Sequence, residues 1–249
     1  MTQGNQGMYR KLNDSGAIRA AAEYMRPGRS VLFDFDGPLC RLFPDGSSAP
    51  LAEALRRIVV ERDAGELLLG EAEVSIDPQV VLKTVHRQRP RSDLAAELDE
   101  RLTDGELAAA VIAPPTPGAE LFVRRLVAAR VGVAVVTNNS PVAVAAYLRR
   151  VGIDRCFEGH IHGRTDDPGR LKPDPDSIHR ALADLGVEAY DALMIGDMPT
   201  DLHAAREAKV AFAGYARDES EAAELWEAGA ELVFSRMELL SAVMVPASS

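Results

Sequence analysis

The stretch that decides the fold is Val31-Leu32-Phe33-Asp34-Phe35-Asp36-Gly37-Pro38-Leu39. Its apolar residues are typical of a β-strand covered on both faces, and Gly37 permits a sharp turn where that strand ends. Asp34 and Asp36 then lie at the carboxyl end of the strand, the edge where open α/β sheets bind their ligands. A carboxylate in such an apolar run is costly to bury unless a cation or a hydrogen-bond donor compensates it. The alternative is a strand-end turn whose aspartates only accept hydrogen bonds from the local backbone.

The composition predicts a globular protein with one large domain, or with a core and a smaller insertion. Of the 249 residues, 47% are apolar and 27% are charged, a balance typical of globular proteins. The formal charge of −10 disfavours nonspecific binding to nucleic acid or to an anionic membrane. Cys40 and Cys156 form no disulfide framework or zinc cluster, and neither a signal peptide nor a membrane-spanning stretch is evident, so we expect a cytoplasmic protein.

Residues 44–113 differ from the rest of the chain because they contain helical patterns and no convincing strand. Helices are predicted at roughly 50–63, 78–89 and 92–112 from apolar residues at helical spacing. Proline and glycine bound this block, in Pro44-Asp45-Gly46 on one side and in the proline-rich segment 113–118 on the other. We therefore expect a helical subdomain inserted between residues 14–43 and 114–249, which form the core, with a hinge at the two crossings.

Outside this block, helical patterns alternate with short apolar strands. Residues 1–13 are predicted to be a frayed tail. After the first strand, strands are predicted at 131–137, 156–161, 192–195, 210–213 and 232–234, and helices at 15–25, 120–130, 142–151, 174–185, 201–208 and 219–227. Such alternation is typical of a parallel sheet. The predicted fold class is thus α/β, a doubly wound parallel sheet with an inserted helical subdomain.

Further polar residues follow predicted strands or lie on loops near them. They are Thr137-Asn138, Lys172 and Gly196-Asp197, with Asp201 four residues on. Because the carboxyl ends of parallel strands meet at one edge, we expect these groups to converge with Asp34 and Asp36. Carboxylates are hard oxygen ligands suited to Mg²⁺, whereas a threonine hydroxyl, backbone N–H groups and a lysine ammonium suit phosphate oxygens.

These four motifs resemble, in order, those of the haloacid dehalogenase-like (HAD) superfamily of phosphotransferases. The resemblance covers roughly residues 30–235, and the helical block stands where many members carry a helical cap. Thr137-Asn138-Asn139-Ser140 and the position of the cap resemble the phosphoglycolate phosphatase-like branch. The implied activity is a Mg²⁺-dependent phosphatase acting on a small phosphorylated metabolite, as a monomer or weak homodimer.

The resemblance also implies a role for each matching residue. Asp34 would attack phosphorus and form an aspartyl-phosphate, and Asp36 would protonate the leaving oxygen and then activate water. Thr137, Asn138 and Lys172 would bind the phosphate, while Asp34, Asp197 and the backbone carbonyl of Asp36 would hold Mg²⁺. Asp201 would support Lys172 or the metal's waters.

Two alternatives and two departures qualify this interpretation. A phosphomutase uses the same nucleophile, and a catalytically silent phospho-ligand-binding or regulatory protein would keep the same fold. Dehalogenating relatives lack a second aspartate, so Asp36 argues against carbon–halogen chemistry. Pro38 and Met198 replace residues that often carry a hydroxyl in the family, and neither removes a catalytic group.

Three other sets of polar residues have competing interpretations. Arg41 is a candidate contact for a second anionic group of the substrate, with an exposed linker arginine as the alternative. The basic run at 86–91 favours solvated charge over a specificity patch. His160 and His162 alternate on a predicted strand, but without further ligands in the sequence around them a structural or surface role is favoured over metal binding.

Overall fold

One sheet of six parallel strands forms the centre of the molecule in a computed structural model that describes residues 11–244. The strands are β1 (Ser30–Phe33), β2 (Gly132–Val136), β3 (Ile161–His162), β4 (Ala192–Gly196), β5 (Ala211–Tyr215) and β6 (Leu232–Phe234). Their spatial order is β3-β2-β1-β4-β5-β6. After β3 the chain returns to the other side of β1, so the strand order reverses between β1 and β4, where α/β sheets bind ligands.

Ten α-helices accompany the sheet within the described residues. They are α1 (Ser15–Ala22), α2 (Ala49–Glu61), α3 (Pro78–Gln88), α4 (Asp93–Ile112), α5 (Ala119–Ala128), α6 (Pro141–Val151), α7 (Asp176–Leu185), α8 (Pro199–Glu207), α9 (Glu219–Glu227) and α10 (Met237–Val243). No helix in this part of the chain is long and apolar enough to cross a lipid bilayer.

The central strand β1 is buried on both faces. Val31 and Phe33 point into an apolar cluster with α1, α5, α6 and α10, whereas Leu32 points into a second cluster with α7 and α8. This alternation follows from the two-residue period of a strand. Phe33 pairs with Val135 of β2 and Ile195 of β4, so the polar residues that follow these three strands meet at one edge of the sheet.

Helices α2, α3 and α4 lie between β1 and α5 in the chain and share an apolar cluster of their own, which includes Leu55, Leu82 and Leu98. The end of α4 is different, because Ala110 belongs to the main core and α4 packs along α6. Helix α4 thus links the helical block to the sheet layer. The predicted division of the chain at residues 44 and 113 stays a prediction.

Three local predictions differ from the structure. The segment predicted as a strand at 156–161 begins as a 3₁₀ turn (Asp154–Phe157) that buries Phe157, and the strand is Ile161–His162. Residues 1–10 of the predicted tail lie outside the described residues, but Asn13 is not frayed, because its N–H donates to the Val233 carbonyl at 3.1 Å. Helix α10 was not predicted; it covers one face of the main core with Met237 and Leu240.

Candidate active site

A cavity of about 580 Å³ opens at the carboxyl edge of the sheet, beneath the helical block. All the residues predicted for the site line this cavity: Asp34, Asp36, Arg41, Thr137, Asn138, Lys172, Asp197 and Asp201. The loops after β1, β2 and β4 bring most of them together, as the order of the strands requires. Their chemical roles remain predictions, whereas their convergence is a feature of the structure.

Lys172 forms the centre of a buried charge network. Its Nζ lies 2.8 Å from Asp34 Oδ1 and 2.5 Å from Asp201 Oδ1, and it donates to the Val136 carbonyl at 3.1 Å. Burial by itself would lower the pKa of Lys172, but the charges of Asp201 and Asp34 outweigh it and raise the pKa. The ammonium is therefore held protonated between two carboxylates.

Asp201 has a positioning role visible in its contacts. Its Oδ2 accepts hydrogen bonds from the backbone N–H groups of Asp197 (3.1 Å) and Met198 (3.0 Å) at the start of α8. The carboxylate is 1% exposed. Both of its oxygens are thus occupied, one by Lys172 and the other by the turn that carries Asp197.

Asp34 and Asp197 carry more negative charge than their neighbours compensate. Burial raises the pKa of Asp34 to about 6 against the opposing charge of Lys172. Burial also raises the pKa of Asp197 well above its ordinary value, and the charges of Asp34 and Asp201 add to this effect. Asp197 Oδ1 is buried and has no hydrogen-bond partner among the described residues. An unpartnered buried carboxylate oxygen is costly without a cation.

Gly37 makes room for the Asp197 carboxylate. Its φ of +95° lies in the left-handed region, and a Cβ added at this position would come within 2.3 Å of Asp197 Cγ and Oδ2. The turn after β1 can therefore approach the β4 loop this closely only with glycine. Thr116 Oγ1 donates to the Gly37 carbonyl at 2.5 Å and holds the turn in place.

Asp36 lies in the cavity as a partly buried carboxyl group. Its Oδ1 accepts a hydrogen bond of 2.7 Å from the Leu42 N–H. Burial raises the pKa of Asp36, and the hydrogen bond from Leu42 opposes this. A raised pKa favours the protonated form, which a general acid requires.

The loop after β2 is built on side-chain hydrogen bonds. Thr137 Oγ1 lies 3.1 Å from Asn139 Oδ1 and accepts from the Asn139 N–H at 3.2 Å. The Asn138 side chain binds the backbone of Lys172, accepting from its N–H at 2.7 Å and donating to its carbonyl at 3.3 Å. Asn138 thus positions Lys172 with its side chain, and its predicted contact with a phosphate stays a prediction.

Comparison with known proteins agrees with this geometry. The family model of haloacid dehalogenase-like hydrolases matches residues 29–209. The chain belongs to the haloacid dehalogenase-like hydrolase family.

Individual relatives of this HAD-like hydrolase are similar over most of its length. The phosphoglycolate phosphatase of Rhodospirillum rubrum is 30% identical over 213 residues, 76% of this chain and 82% of the relative. A HAD family hydrolase from Deinococcus radiodurans, solved with bound phosphate and sodium, has a TM-score of 0.56 at 25% identity, over 89% of this chain and 99% of that one. A hydrolase from Pseudomonas syringae has a TM-score of 0.61 at 22% identity, over 88% and 100%. The predicted family, branch, fold class and phosphatase-type hydrolase class are confirmed.

The carboxylates of this HAD-like hydrolase fit a divalent cation. One oxygen each of Asp34, Asp197 and Asp201 lies within 4.8 Å of the others. Because both Asp201 oxygens already have partners, Asp34 and Asp197 are the two carboxylates left to act as ligands. Hard oxygen donors of this kind suit a cation that keeps several waters.

Two cations on the cavity wall of the HAD-like hydrolase were not found from the sequence. Arg217 follows β5, and its backbone N–H and Nε bind Glu221 at 2.7 and 2.8 Å. Lys83 reaches the cavity from α3. Arg41, which was predicted, also pairs with Asp45 at 2.9 Å and is partly exposed. Arg217 could have been predicted from the sequence, because it lies two residues after β5, at the edge of the sheet where the other site residues follow their strands.

A buried ion pair joins α4 to the segment after β3, and sequence reasoning missed it too. Arg164 Nη1 lies 2.8 and 3.1 Å from the two carboxylate oxygens of Glu106. Glu106 also accepts from Asn139 Nδ2 at 3.0 Å and from the Ser140 N–H at 2.8 Å. The loop that carries Thr137 is therefore held from the helical block as well as from the sheet.

Proposed function

We propose that the protein is a Mg²⁺-dependent phosphatase that hydrolyses a small phosphorylated metabolite through an aspartyl-phosphate on Asp34. The observation that carries this proposal is the unpartnered Asp197 Oδ1 beside Asp34, whose own carboxylate is paired with the buried Lys172. A nucleophilic carboxylate approaching an anionic phosphate needs local positive charge. Lys172 supplies one positive charge, and the unpartnered Asp197 Oδ1 is a candidate ligand for a cation that would supply a second.

In this proposal the carboxylates of Asp34 and Asp197 and the Asp36 carbonyl would hold the cation. A bound Mg²⁺ would supply positive charge that offsets the negative charge of the nucleophile and the phosphate. Thr137, the Asn138 backbone N–H and the Lys172 ammonium bind the remaining phosphate oxygens.

The reaction proceeds in two displacements at phosphorus. An Asp34 oxygen forms a bond to phosphorus while the bond to the leaving oxygen breaks, and protonated Asp36 gives that oxygen its proton. Asp36, now ionised, takes a proton from a water molecule that attacks phosphorus. The phosphorus–Asp34 bond breaks, inorganic phosphate leaves, and both aspartates return to their starting states.

The cavity favours a small substrate with a second anionic group. Arg41, Lys83 and Arg217 line it together with the four aspartates of the motifs, and such cations suit a carboxylate or phosphate. Because curated relatives are phosphoglycolate phosphatases, 2-phosphoglycolate is the first substrate to test. The helical block would close over it to exclude water. We expect the enzyme to act in the cytoplasm as a monomer or weak homodimer.

The test is phosphate release from 2-phosphoglycolate and a panel of other phosphomonoesters, with and without Mg²⁺, by the wild type and Asp34→Asn. The variant keeps the size of the side chain but loses the charged nucleophile, so turnover and acid-trapped phosphoprotein should both vanish while the circular dichroism spectrum is unchanged. Asp104→Asn, an exposed position on α4, is the matched control and should behave as wild type.

Wild-type turnover by Asp34→Asn would show that another group attacks phosphorus. Turnover that is equal with and without Mg²⁺, after removal of bound metal, would contradict the cation requirement. Transfer of the phosphoryl group to another substrate hydroxyl without phosphate release would indicate a phosphomutase instead.

A further inference from the structure

The edge strand β3 and the residue before it place two imidazoles on one side of the sheet, outside the lining of the cleft. His160 and His162 are two residues apart, so their side chains project from the same face of the strand. Their backbones are fixed by β2, because the His160 carbonyl accepts from Val135 N–H at 2.9 Å and the His162 carbonyl from Thr137 N–H at 3.1 Å. The pair therefore rests on a rigid element of the fold.

Helix α7 brings a carboxylate to this pair. Asp184 lies in the last turn of α7, and its Oδ2 is 2.8 Å from His160 Nδ1 and 3.4 Å from His162 Nε2. The three ligand atoms all lie within 4.8 Å of one another. Atoms bound to one tetrahedral metal at the usual zinc–ligand lengths are separated by about 3.3 Å. The present spacing thus needs only small side-chain adjustments to surround one ion.

The His162 nitrogen is an independent sign of a missing ligand. His162 is 8% exposed, and its Nε2 is buried with no hydrogen-bond partner among the described residues. Leaving a buried polar nitrogen unpaired is unfavourable. The 3.4 Å between His162 Nε2 and Asp184 Oδ2 is longer than a good hydrogen bond. It is close to the separation of two atoms that bind the same metal ion.

We propose that His160, His162 and Asp184 form a second metal site, for Zn²⁺ or a similar transition-metal ion, separate from the carboxylate site in the cleft. Two imidazoles and one carboxylate favour such ions over Mg²⁺, which prefers oxygen ligands. The side chains of His160 and Asp184 are 32% and 43% exposed, so the ion can enter from solvent and a water can complete a tetrahedral shell.

The local charges are compatible with this site. Burial lowers the pKa of His162, and the nearby charge of Arg180 lowers it further, whereas Asp184 opposes both. A low pKa keeps the imidazole lone pair available at neutral pH. Arg180 also repels a cation, but its Nε is bound to Asp176 at 2.7 Å and its Nη2 to the Gly163 carbonyl at 2.8 Å, which reduces that repulsion.

The test is a calorimetric Zn²⁺ titration of the full chain, stripped of metal and then saturated with Mg²⁺ so that the cleft is occupied. The wild type should bind one Zn²⁺ and unfold at a higher temperature with Zn²⁺ than without it. His160→Asn keeps a polar group near the position of Nδ1 but removes the imidazole, and Asp184→Asn removes the charged ligand. Each should weaken Zn²⁺ binding about tenfold or more and abolish the thermal shift.

His203→Asn is the matched control, because His203 is an exposed histidine on α8, outside the cluster. It should bind Zn²⁺ as the wild type does. Cobalt absorption offers a second measurement, since a tetrahedral Co²⁺ spectrum should appear in the wild type and the control and be absent in the two cluster variants. The side chains of His160 and Asp184 are partly exposed, so His160→Asn and Asp184→Asn should fold, and circular dichroism would establish this for each variant.

The proposal is overturned if Mg²⁺-saturated wild type binds no Zn²⁺, or if His160→Asn and Asp184→Asn bind it as tightly as wild type. Equal weakening by His203→Asn would also overturn it, because the binding would then be nonspecific. None of these outcomes bears on the phosphatase proposal, which depends on the cleft alone.

Discussion

Breaking the buried ion pair between Arg164 and Glu106 should be among the most destabilising single changes in this protein. The Arg164 side chain is 2% exposed and that of Glu106 is 0% exposed. Arg164→Met removes the guanidinium and leaves the Glu106 carboxylate buried, with the Asn139 amide and the Ser140 N–H as its remaining donors among the residues that the structure describes. Breaking a buried pair in this way costs about 3–5 kcal/mol of unfolding free energy.

Glu106→Gln should cost less, because Arg164 keeps its 2.6 Å contact with Asp99 and its 2.9 Å hydrogen bond to Thr103. The loss of charged hydrogen bonds predicts about 1.5–3 kcal/mol. In the double variant no uncompensated carboxylate remains at position 106, so it should cost no more than Arg164→Met alone. The sum of the two single losses should therefore exceed the double loss by at least about 1.5–3 kcal/mol, which is the coupling energy of the pair.

The assay is equilibrium urea unfolding of the wild type, the two single variants and the double variant at pH 7, with equal m-values as a check on comparability. The exposed pair of Arg124 and Glu120, 3.0 Å apart with both side chains about half exposed, is the control. The same substitutions there should cost at most about 1 kcal/mol. A cost below about 1 kcal/mol for Arg164→Met, or additive losses in the cycle, would refute the assignment of a buried, coupled pair.

Two further predictions concern the cleft. Asp36→Asn should slow hydrolysis of an alkyl phosphate by about a hundredfold or more, and that of a nitrophenyl phosphate less, because a good leaving group needs less protonation; equal losses on both substrates, with chemistry rate-limiting, would argue against a general acid. Gly37→Ala should weaken Mg²⁺ binding, so that half-maximal activity requires a higher Mg²⁺ concentration, because its Cβ would displace the Asp197 carboxylate. The control is Gly28→Ala, because Gly28 has a similar φ of +83° but nothing within 4 Å of an added Cβ. This variant should lose about 1–2 kcal/mol of stability and respond to Mg²⁺ as the wild type does. If Gly37→Ala and Gly28→Ala respond equally to Mg²⁺, this role of Gly37 is contradicted.

The sequence by itself was sufficient for the parallel α/β core and for the convergence of the polar strand ends. The apolar run at β1 and the regular alternation of later strands with helices are local patterns that need no partner to be recognised. Once the strands are parallel, their carboxyl ends share an edge, and Asp34, Thr137 and Asp197 must approach one another. The order of the motifs supported their resemblance to one family.

The short edge strand β3 could not be located from local sequence patterns. Strand β3 (Ile161–His162) has only two residues, and it is a strand because it pairs with β2. The Val135 N–H donates to the His160 carbonyl, and the Thr137 N–H donates to the His162 carbonyl. The preceding residues have as much apolar character but form a turn that buries Phe157. Where a strand is this short, its register depends on the neighbour, which the local sequence does not contain.

Only the tertiary structure decided which distant residues share a contact. Glu106 and Arg164 are 58 residues apart, and nothing near either one predicts a buried partner. Asp184 gives His160 and His162 the third ligand that their own strand lacks, because α7 packs against β3. Such pairings depend on how helices lie against the sheet. Because burying a charge costs free energy, packing that buries one member of such a pair is tolerated only where its partner, far away in the chain, is buried beside it.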